Sequence, residues 1–350
     1  MTAIPANPST AQRSPYIASA VYDWIFFLLP PLFSLLVGAL VSGTSFDTDR
    51  FWLHGRRVTW TTLLLGIFVH AHLFAVFVRS HLNPDVFPKH RFRFIALPIL
   101  LVVAMMSSMW AVVIATVLVT FWDVWHSALQ TFGLGRIYDR NQGNDPAVGR
   151  TWDIVLNLLL YAGPIVSGAT MYAHFQKFEL FADVDAMLFT LVPVAMKQHQ
   201  QPIAWAVILG GVLFLLAYVG AYVRFARQGY KVGGQKVFLY VTTGLCSIWA
   251  WGFNPFGQAF LIMNLFHALQ YFGLVFWSER KILVRRLHLS GRRIAYPLAA
   301  LIFVSVTLAY GVFAEVIADD HRLLWSMVQT VALMHFFYDG FIWSVRKKQV

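Results

Sequence analysis

Charged residues and cysteine are both scarce in this chain of 350 residues. Charged side chains make up 12% of the sequence, whereas they make up about 25% of an average soluble domain. The composition therefore excludes an ordinary water-soluble surface. The single cysteine, Cys246, excludes a disulfide framework and a thiolate metal site.

Other familiar signatures are missing as well. The N-terminal stretch 1–16 has no apolar run followed by a cleavage site, so it predicts a flexible tail and not a signal peptide. The chain contains no glycine-rich dinucleotide-binding fingerprint and no cysteine set for an iron–sulfur cluster. A redox enzyme without such cofactor-binding sequences would either take its electrons from a separate donor protein or catalyse a reaction, such as a dioxygenation, that needs no donor.

Long apolar runs are present instead. Of the residues, 58% are hydrophobic and 16% are aromatic, and the mean hydropathy is +0.62. Because an apolar run of about 20 residues predicts a transmembrane helix, the sequence predicts an all-α, polytopic integral membrane bundle. We predict about ten spans: 20–42, 58–80, 94–110, 112–134, 152–173, 202–226, 235–252, 256–278, 294–317 and 322–344.

The third and fourth spans come from one apolar stretch. As a helix, a stretch of about 40 residues would be about 60 Å long, twice the thickness of the hydrocarbon core. We therefore expect the chain to fold back near Ser107 and Ser108. The stretch 175–200, which holds polar residues and a shorter apolar segment, is expected at the membrane interface.

The distribution of Lys and Arg predicts the orientation. Most of the 27 basic residues follow the even-numbered spans or flank the termini, which places both termini in the cytoplasm. The net charge of +11 then indicates basic loops on anionic membrane lipids and not nucleic-acid binding. We expect a multi-pass protein of a bacterial-type inner or plasma membrane. The predicted parts are a flexible tail, 1–19, a single membrane domain, 20–345, and a basic cytoplasmic tail, 346–350.

A short internal echo links two of the spans. The segment His126–Gly133 resembles His267–Gly273 apart from one inserted residue, and each segment precedes a charged stretch. The echo indicates a weak internal duplication around 112–140 and 256–281.

Four histidines stand alone within apolar spans: His70, His126, His267 and His335. All four spans run in the same predicted direction, so the four imidazoles are expected at one depth in the bilayer. An ionisable group there costs about 2.5 kcal/mol or more and is a functional hypothesis by default. The pattern predicts a metal or haem site.

Polar neighbours strengthen this interpretation. Asp123 precedes His126 by three residues, and Asp339 follows His335 by four. Asn264 likewise precedes His267 by three. Such spacings place both side chains on one helical face, where a carboxylate can bind a metal or orient the histidine. Gln130, Gln270 and Tyr271 lie on or near the same faces.

A fifth histidine, His72, lies two residues after His70. Residues two apart point about 200° apart around a helix, so the two are not expected to share one mononuclear site. We expect His70 at the shared depth. His72 is the candidate for a second metal or for a helix interface.

Imidazole with carboxylate and no thiolate suits non-haem iron, as one or two ions, or copper. A site within the bilayer suits a lipophilic substrate, so we expect an oxygenase, hydroxylase or desaturase type of reaction. The candidate metal ligands are His70, His126, His267, His335 and His72. The candidate catalytic residues are Asp123, Asp339, Gln130 and Gln270, and Trp122, Trp125, Phe336 and Phe337 are expected to shape an apolar pocket.

In general logic, histidines scattered over separate helices resemble integral-membrane non-haem iron enzymes that act on lipids or carotenoids. The chain lacks the His-x-x-x-His and His-x-x-His-His boxes of membrane desaturases and hydroxylases. Two alternatives stay open. A haem b protein in electron transfer would use the pairs His70/His126 and His267/His335 as axial ligands. A proton-coupled transporter would use the membrane-embedded Asp and His residues as a relay.

Overall fold

The computed structural model describes residues 14–168, 184–185, 194–317 and 321–343. The predicted basic tail 346–350 lies outside the described residues, as do residues 1–13 and most of the stretch 175–200. The last part of the predicted tail is held in place, because the backbone N–H groups of Ile17 and Ala18 donate to the Asp23 carboxylate.

The described chain is helical apart from one antiparallel hairpin, in which β1 (Phe51–Leu53) pairs with β2 (Arg56–Val58). The first helices are α1 (Ala20–Asp23), its π-helical continuation Trp24–Leu28, α2 (Pro30–Val41), α3 (Ser45–Thr48), α4 (Trp60–His81) and α5 (Phe87–Ser107). The next are α6 (Met109–Asn141), α7 (Arg150–Ser167), α8 (Gln200–Arg227) and α9 (Gly234–Phe253). The last are α10 (Phe256–Arg286), α11 (Ala295–Val312), its π-helical continuation Phe313–Ile317, and α12 (Arg322–Ile342).

Within the described residues, each of the ten predicted segments falls on a helix or on consecutive helices. Among the described residues, six helices are long and apolar enough to cross a membrane. They are α4, α5, α6, α8, α10, and α11 with its π-helical continuation. The pair formed by α1 and α2, which is bent by 47° at Pro30, raises the number to seven if it counts as one span. An all-α architecture is therefore confirmed, whereas the ten-span count and the orientation stay predictions.

The predicted break in the long apolar stretch is confirmed. Helix α5 ends at Ser107 and α6 begins at Met109, and Ser108 between them is extended, with φ −145° and ψ 130°. One residue in the β region suffices to end one helix and begin the next.

Helix α10 forms the centre of the bundle, because 78% of the residues in its apolar stretch are buried inside the protein. It packs against α2, α4, α9 and α11, and α12 packs against α4, α5 and α6. By contrast, no residue in the apolar stretch of α8 is buried. Because α4, α6, α10 and α12 meet in the interior, a polar residue on the inner face of each can reach a common point.

Candidate metal centre

Four histidines, one from each of α4, α6, α10 and α12, meet in the interior of the bundle. They are His72, His126, His267 and His335, with relative exposures of 1%, 7%, 1% and 0%. Their rings form a closed loop, in which the centroid distances are 5.1 Å for His72–His267, 5.1 Å for His267–His126, 4.7 Å for His126–His335 and 5.2 Å for His335–His72. Imidazoles that bind one metal through nitrogens at about 2.1 Å have neighbouring centroids about 4.5 to 5.2 Å apart. The ring spacing is that of metal-bound imidazoles, and the ligand atoms form two overlapping groups, each within 4.8 Å: one of His72, His267 and His335, the other of His126, His335 and Asp339.

The best defined pair in this loop is His126 and His335. Their Nε2 atoms are 3.1 Å apart. The Nδ1 atom of His335 lies 3.1 Å from the carbonyl oxygen of Leu73, and since a carbonyl only accepts, we assign the proton of His335 to Nδ1. The Nε2 lone pair of His335 then faces the centre. Two nitrogens on one metal lie about 3.0 to 3.4 Å apart at ordinary bond lengths and angles, which matches the observed separation.

His72 and His267 are the most informative residues of the centre. All four of their ring nitrogens are buried. His72 has the backbone of Phe68 and Val69 as hydrogen-bond partners, whereas neither ring nitrogen of His267 has a partner in the described part of the chain. A buried polar group without a partner costs about 1–3 kcal/mol, so the unpaired His267 ring beside three other imidazoles requires an explanation. The ligand atoms of His72, His267 and His335 lie within 4.8 Å of one another. A metal ion bound between them would give the His267 ring the partner that the described residues do not supply.

Asp339 adds a carboxylate to one side of the loop. Its Oδ1 accepts hydrogen bonds from the Tyr271 hydroxyl at 2.9 Å and from the Trp343 indole N–H at 2.9 Å. Its Oδ2 lies 3.7 Å from His126 Nε2 and 3.9 Å from His335 Nε2. With one oxygen held by two donors, the other is presented to the histidines, as a ligand or as their partner.

The structure places His72, and not His70, beside the other three histidines, which reverses the expected choice between them. His70 lies on another face of α4, where its Nδ1 is 2.9 Å from the Gly66 carbonyl oxygen and 3.3 Å from a carboxylate oxygen of Glu315. The sequence indicated that the two histidines point apart. Which of them faces inwards depends on the rotation of α4 against α10 and α12, and this is set by packing.

The other predicted residues divide in the same way. Of the two aspartates, the structure brings Asp339 to the centre. Asp123 is partly exposed and belongs to neither group of ligand atoms within 4.8 Å of one another. Gln130 donates to the carbonyl oxygen of His267 at 3.1 Å and to Gln270 at 3.3 Å, and Gln270 donates to the carbonyl oxygen of Phe27 at 2.8 Å. Both glutamines therefore brace α6 against α10, and the two echo segments lie face to face.

A cavity of about 960 Å³ adjoins the centre, with His126, Tyr271 and Asp339 on its wall. This volume lies within the range of about 300–1,000 Å³ that is common for small-molecule sites. The four aromatic residues expected to shape an apolar pocket all line it: Trp122, Trp125, Phe336 and Phe337.

Sequence reasoning missed the residues beneath Asp339. Its place at the end of an apolar span predicts that Arg79 faces the lipid headgroups, but it is buried, with its guanidinium 4.0 Å from the centroid of the Trp343 ring. It donates to Glu279 at 2.5 Å and to the carbonyl oxygen of Ile342 at 3.1 and 3.2 Å. A glutamate within the otherwise basic stretch 278–281 is the signal that could have indicated this pair.

A second buried ion-pair cluster lies near the far end of α6. Arg136 donates to Asp139 at 2.7 Å and to Asp153 at 2.8 Å, and the Lys236 ammonium lies 2.7 Å from each carboxylate. The distribution of Lys and Arg predicts Arg136 and Lys236 in cytoplasmic loops. Both are buried instead, so part of the excess of basic residues lies in helix interfaces and not on the surface.

No protein-family model matches this chain, and no curated protein or solved structure matches it either.

Proposed function

We propose that this chain is an integral-membrane, metal-dependent oxidoreductase that acts on a lipophilic substrate at its histidine centre. The observation that carries the proposal is the closed loop of His72, His126, His267 and His335, in which neither ring nitrogen of His267 has a hydrogen-bond partner within the described ranges. The adjoining cavity brings an apolar ligand to His126 and Asp339. We expect the protein in a bilayer of the bacterial inner-membrane type.

The donor set supports iron or copper. It consists of imidazoles and one carboxylate, which suit iron, copper, zinc or manganese. The only cysteine, Cys246, is buried in α9 and donates to the carbonyl oxygen of Pro31. Zinc is less suitable, because hydrolysis within membrane helices needs a water route. Non-haem iron, as one or two ions, is our first choice, since oxygen and a hydrocarbon substrate both dissolve in the bilayer.

The close approach of the rings favours a non-haem centre over haem b. Two axial histidines lie on opposite faces of a haem, with the macrocycle between them. Here neighbouring rings meet nearly edge to face, and the Nε2 atoms of His126 and His335 are 3.1 Å apart. In addition, His70, one of the four histidines expected in the haem pairs, pairs with Glu315 instead.

The hydrogen bonding favours a metal centre over a proton relay. A relay needs a continuous chain of donors and acceptors, and neither ring nitrogen of His267 has a hydrogen-bond partner among the residues that the structure describes. The bend at Pro30 and the internal Pro164 also lie on helices that carry none of the four histidines. A transporter is therefore the weaker alternative.

Electrons for the reaction have two possible sources. A monooxygenase or desaturase type of reaction would take them from a separate donor protein at the basic cytoplasmic loops. A dioxygenation, in which both oxygen atoms enter the substrate, needs no donor. The choice between them is a property of the substrate and is settled by measuring whether turnover consumes a reductant.

Metal analysis combined with an optical spectrum tests the proposal. The full chain would be purified in detergent, reconstituted with Fe(II) or Cu(II), and freed of unbound metal. We expect one or two ions per chain and no Soret band. A Soret band in the protein as purified would overturn the non-haem assignment, and a reconstituted protein without bound metal would overturn both metal hypotheses.

A further inference from the structure

The cavity beside the histidine centre is a long groove between α6 and α12. Along α6, it is lined from Trp122 to Ile137, a distance of about 22 Å at the helical rise of 1.5 Å per residue. The α12 wall is aromatic, and α10 contributes Tyr271 and Leu274. Trp125 on the α6 wall is 49% exposed, so the groove opens sideways to the lipid phase near His126.

Two glycines widen this groove, one on each of its walls. Gly133 of α6 and Gly340 of α12 both line the cavity, and a Cβ atom built on either would meet nothing within 4 Å. Glycine in a helix interior costs about 1 kcal/mol relative to alanine. Neither residue has a positive φ or a close backbone neighbour to require it. At both positions the groove therefore has room that a larger side chain would occupy.

The end of the groove away from His126 is polar. Arg136 lines it, but its charge is balanced by Asp139 and Asp153. Asp145 also lines it, and one of its carboxylate oxygens accepts the backbone N–H of Ala147. Arg150 lies with its guanidinium 5.7 Å from the centroid of the Phe132 ring.

Arg150 is thus the cation that this end of the groove offers to a ligand. In the part of the chain that the structure describes, no carboxylate forms an ion pair with it. An Arg guanidinium is well suited to bind a carboxylate, because it can donate two parallel hydrogen bonds to it.

We infer that the groove binds a single-chain anionic lipid, such as a long-chain fatty acid, with its carboxylate at Arg150 and its hydrocarbon chain running past Gly133 and Gly340 to His126. The hydrocarbon chain of the lipid passes between the groove and the bilayer through the lateral opening at Trp125. The carboxylate of the lipid stays at Arg150, at the predicted cytoplasmic end of the groove. The aromatic walls supply the apolar contact, and the one available cation supplies the orientation.

This orientation also predicts where the lipid reacts, a point that rests on the proposed function. Phe132, under the Arg150 guanidinium, follows His126 by six residues, which is about 9 Å along the helix. A carboxylate held at Arg150 therefore brings the middle of the chain, and not the carbons next to the head, to the metal centre.

Binding of radiolabelled oleate to the full-length protein in lipid nanodiscs tests the groove. A Cβ atom fits at both positions, and the longer side chain of Gly133→Leu or Gly340→Leu would extend into the groove, so we expect oleate binding to weaken at least tenfold while the fold is kept. Gly220→Leu is the matched control, because Gly220 in α8 is exposed and also has nothing within 4 Å of a built Cβ. Oleate binding that is not saturable in the wild type, or that is unchanged in both groove variants, would overturn the inference.

The head group is tested with oleyl alcohol, which has the same chain and no charge. Arg150→Gln should weaken oleate binding about tenfold, as expected for the loss of a hydrogen bond between charged groups, and should leave oleyl alcohol binding unchanged. Equal effects on the two ligands would refute the assignment of the head to Arg150. Both assays are run on metal-free protein, so their outcome does not depend on the metal. If the protein binds oleate saturably but takes up no metal in the reconstitution described above, the proposed function is refuted and the groove assignment stands.

Discussion

Two histidines on the same helix allow the role of the proposed metal centre to be tested against a matched control. His72 and His70 are two residues apart on α4, but only His72 belongs to the loop of four rings. We predict that His72→Leu abolishes most metal binding and that His70→Leu, the matched control, retains it.

The magnitude follows from the state of the His72 ring. Burying its ring without full hydrogen bonding costs about 1–3 kcal/mol, whereas each ring contact that leucine would lose contributes about 0.5–1.5 kcal/mol. The metal-free His72→Leu protein should therefore have a free energy of unfolding within about 2 kcal/mol of the wild type.

Metal addition should favour the wild type. At a metal concentration of about 1,000 times Kd, binding adds about 4.1 kcal/mol to the free energy of unfolding. Changes to residues that only hydrogen-bond to a metal ligand already weaken metal binding about 10- to 100-fold, so loss of a ligand should weaken it at least 100-fold. At the same metal concentration, the gain for His72→Leu then falls to about 1.4 kcal/mol, while His70→Leu keeps the full gain.

The assay is a denaturant titration in detergent micelles, with and without metal, combined with direct metal counting. The reasoning would be refuted if both variants lost metal to the same extent. It would also be refuted if the metal-free His72→Leu protein were less stable than the wild type by more than about 2 kcal/mol, since the cost of burying the ring could not then offset the lost ring contacts.

Two further substitutions test the surroundings of the centre. Asp339→Asn keeps an oxygen for the Tyr271 and Trp343 donors but removes the charge that faces His126, so a metal titration should show binding about 10- to 100-fold weaker. Unchanged affinity would exclude a role for this carboxylate. Glu279→Gln removes the carboxylate that is paired with buried Arg79 and should lower the free energy of unfolding by about 3–5 kcal/mol. The double variant Arg79→Met/Glu279→Leu, which removes both charges, should recover most of this loss, and its failure to do so would argue against the ion pair as the cause.

Much of the fold could be predicted because apolar run length is a local property. Within the described residues, each predicted span falls on helix, and the break at Ser108 lies where the length of the apolar stretch requires a turn. The helix ends differ by several residues, and α6 continues to Asn141, well beyond the predicted end at 134. This extension carries Arg136 and Asp139, which form an ion pair with each other and with Asp153 of α7 and Lys236 of α9.

The candidate site was predicted in part. His126, His267 and His335 were expected to share one site, and the structure brings them together. The fourth member was expected to be His70, because the spacing of two residues shows only that the histidines diverge. The contact between Arg79 and the Trp343 ring, which supports Asp339, could not be predicted, because Arg79 and Trp343 lie far apart in the sequence.

The sequence alone determined that this protein is a bundle of apolar helices and that a few histidines and aspartates are buried in it, because hydropathy and the 3.6-residue period are read along one chain. Only the tertiary structure decided which face of each helix turns inwards. That choice depends on how side chains of several helices fit together. It selects His72 over His70 and Asp339 over Asp123, and it opens the groove between Gly133 and Gly340 beside the four histidines.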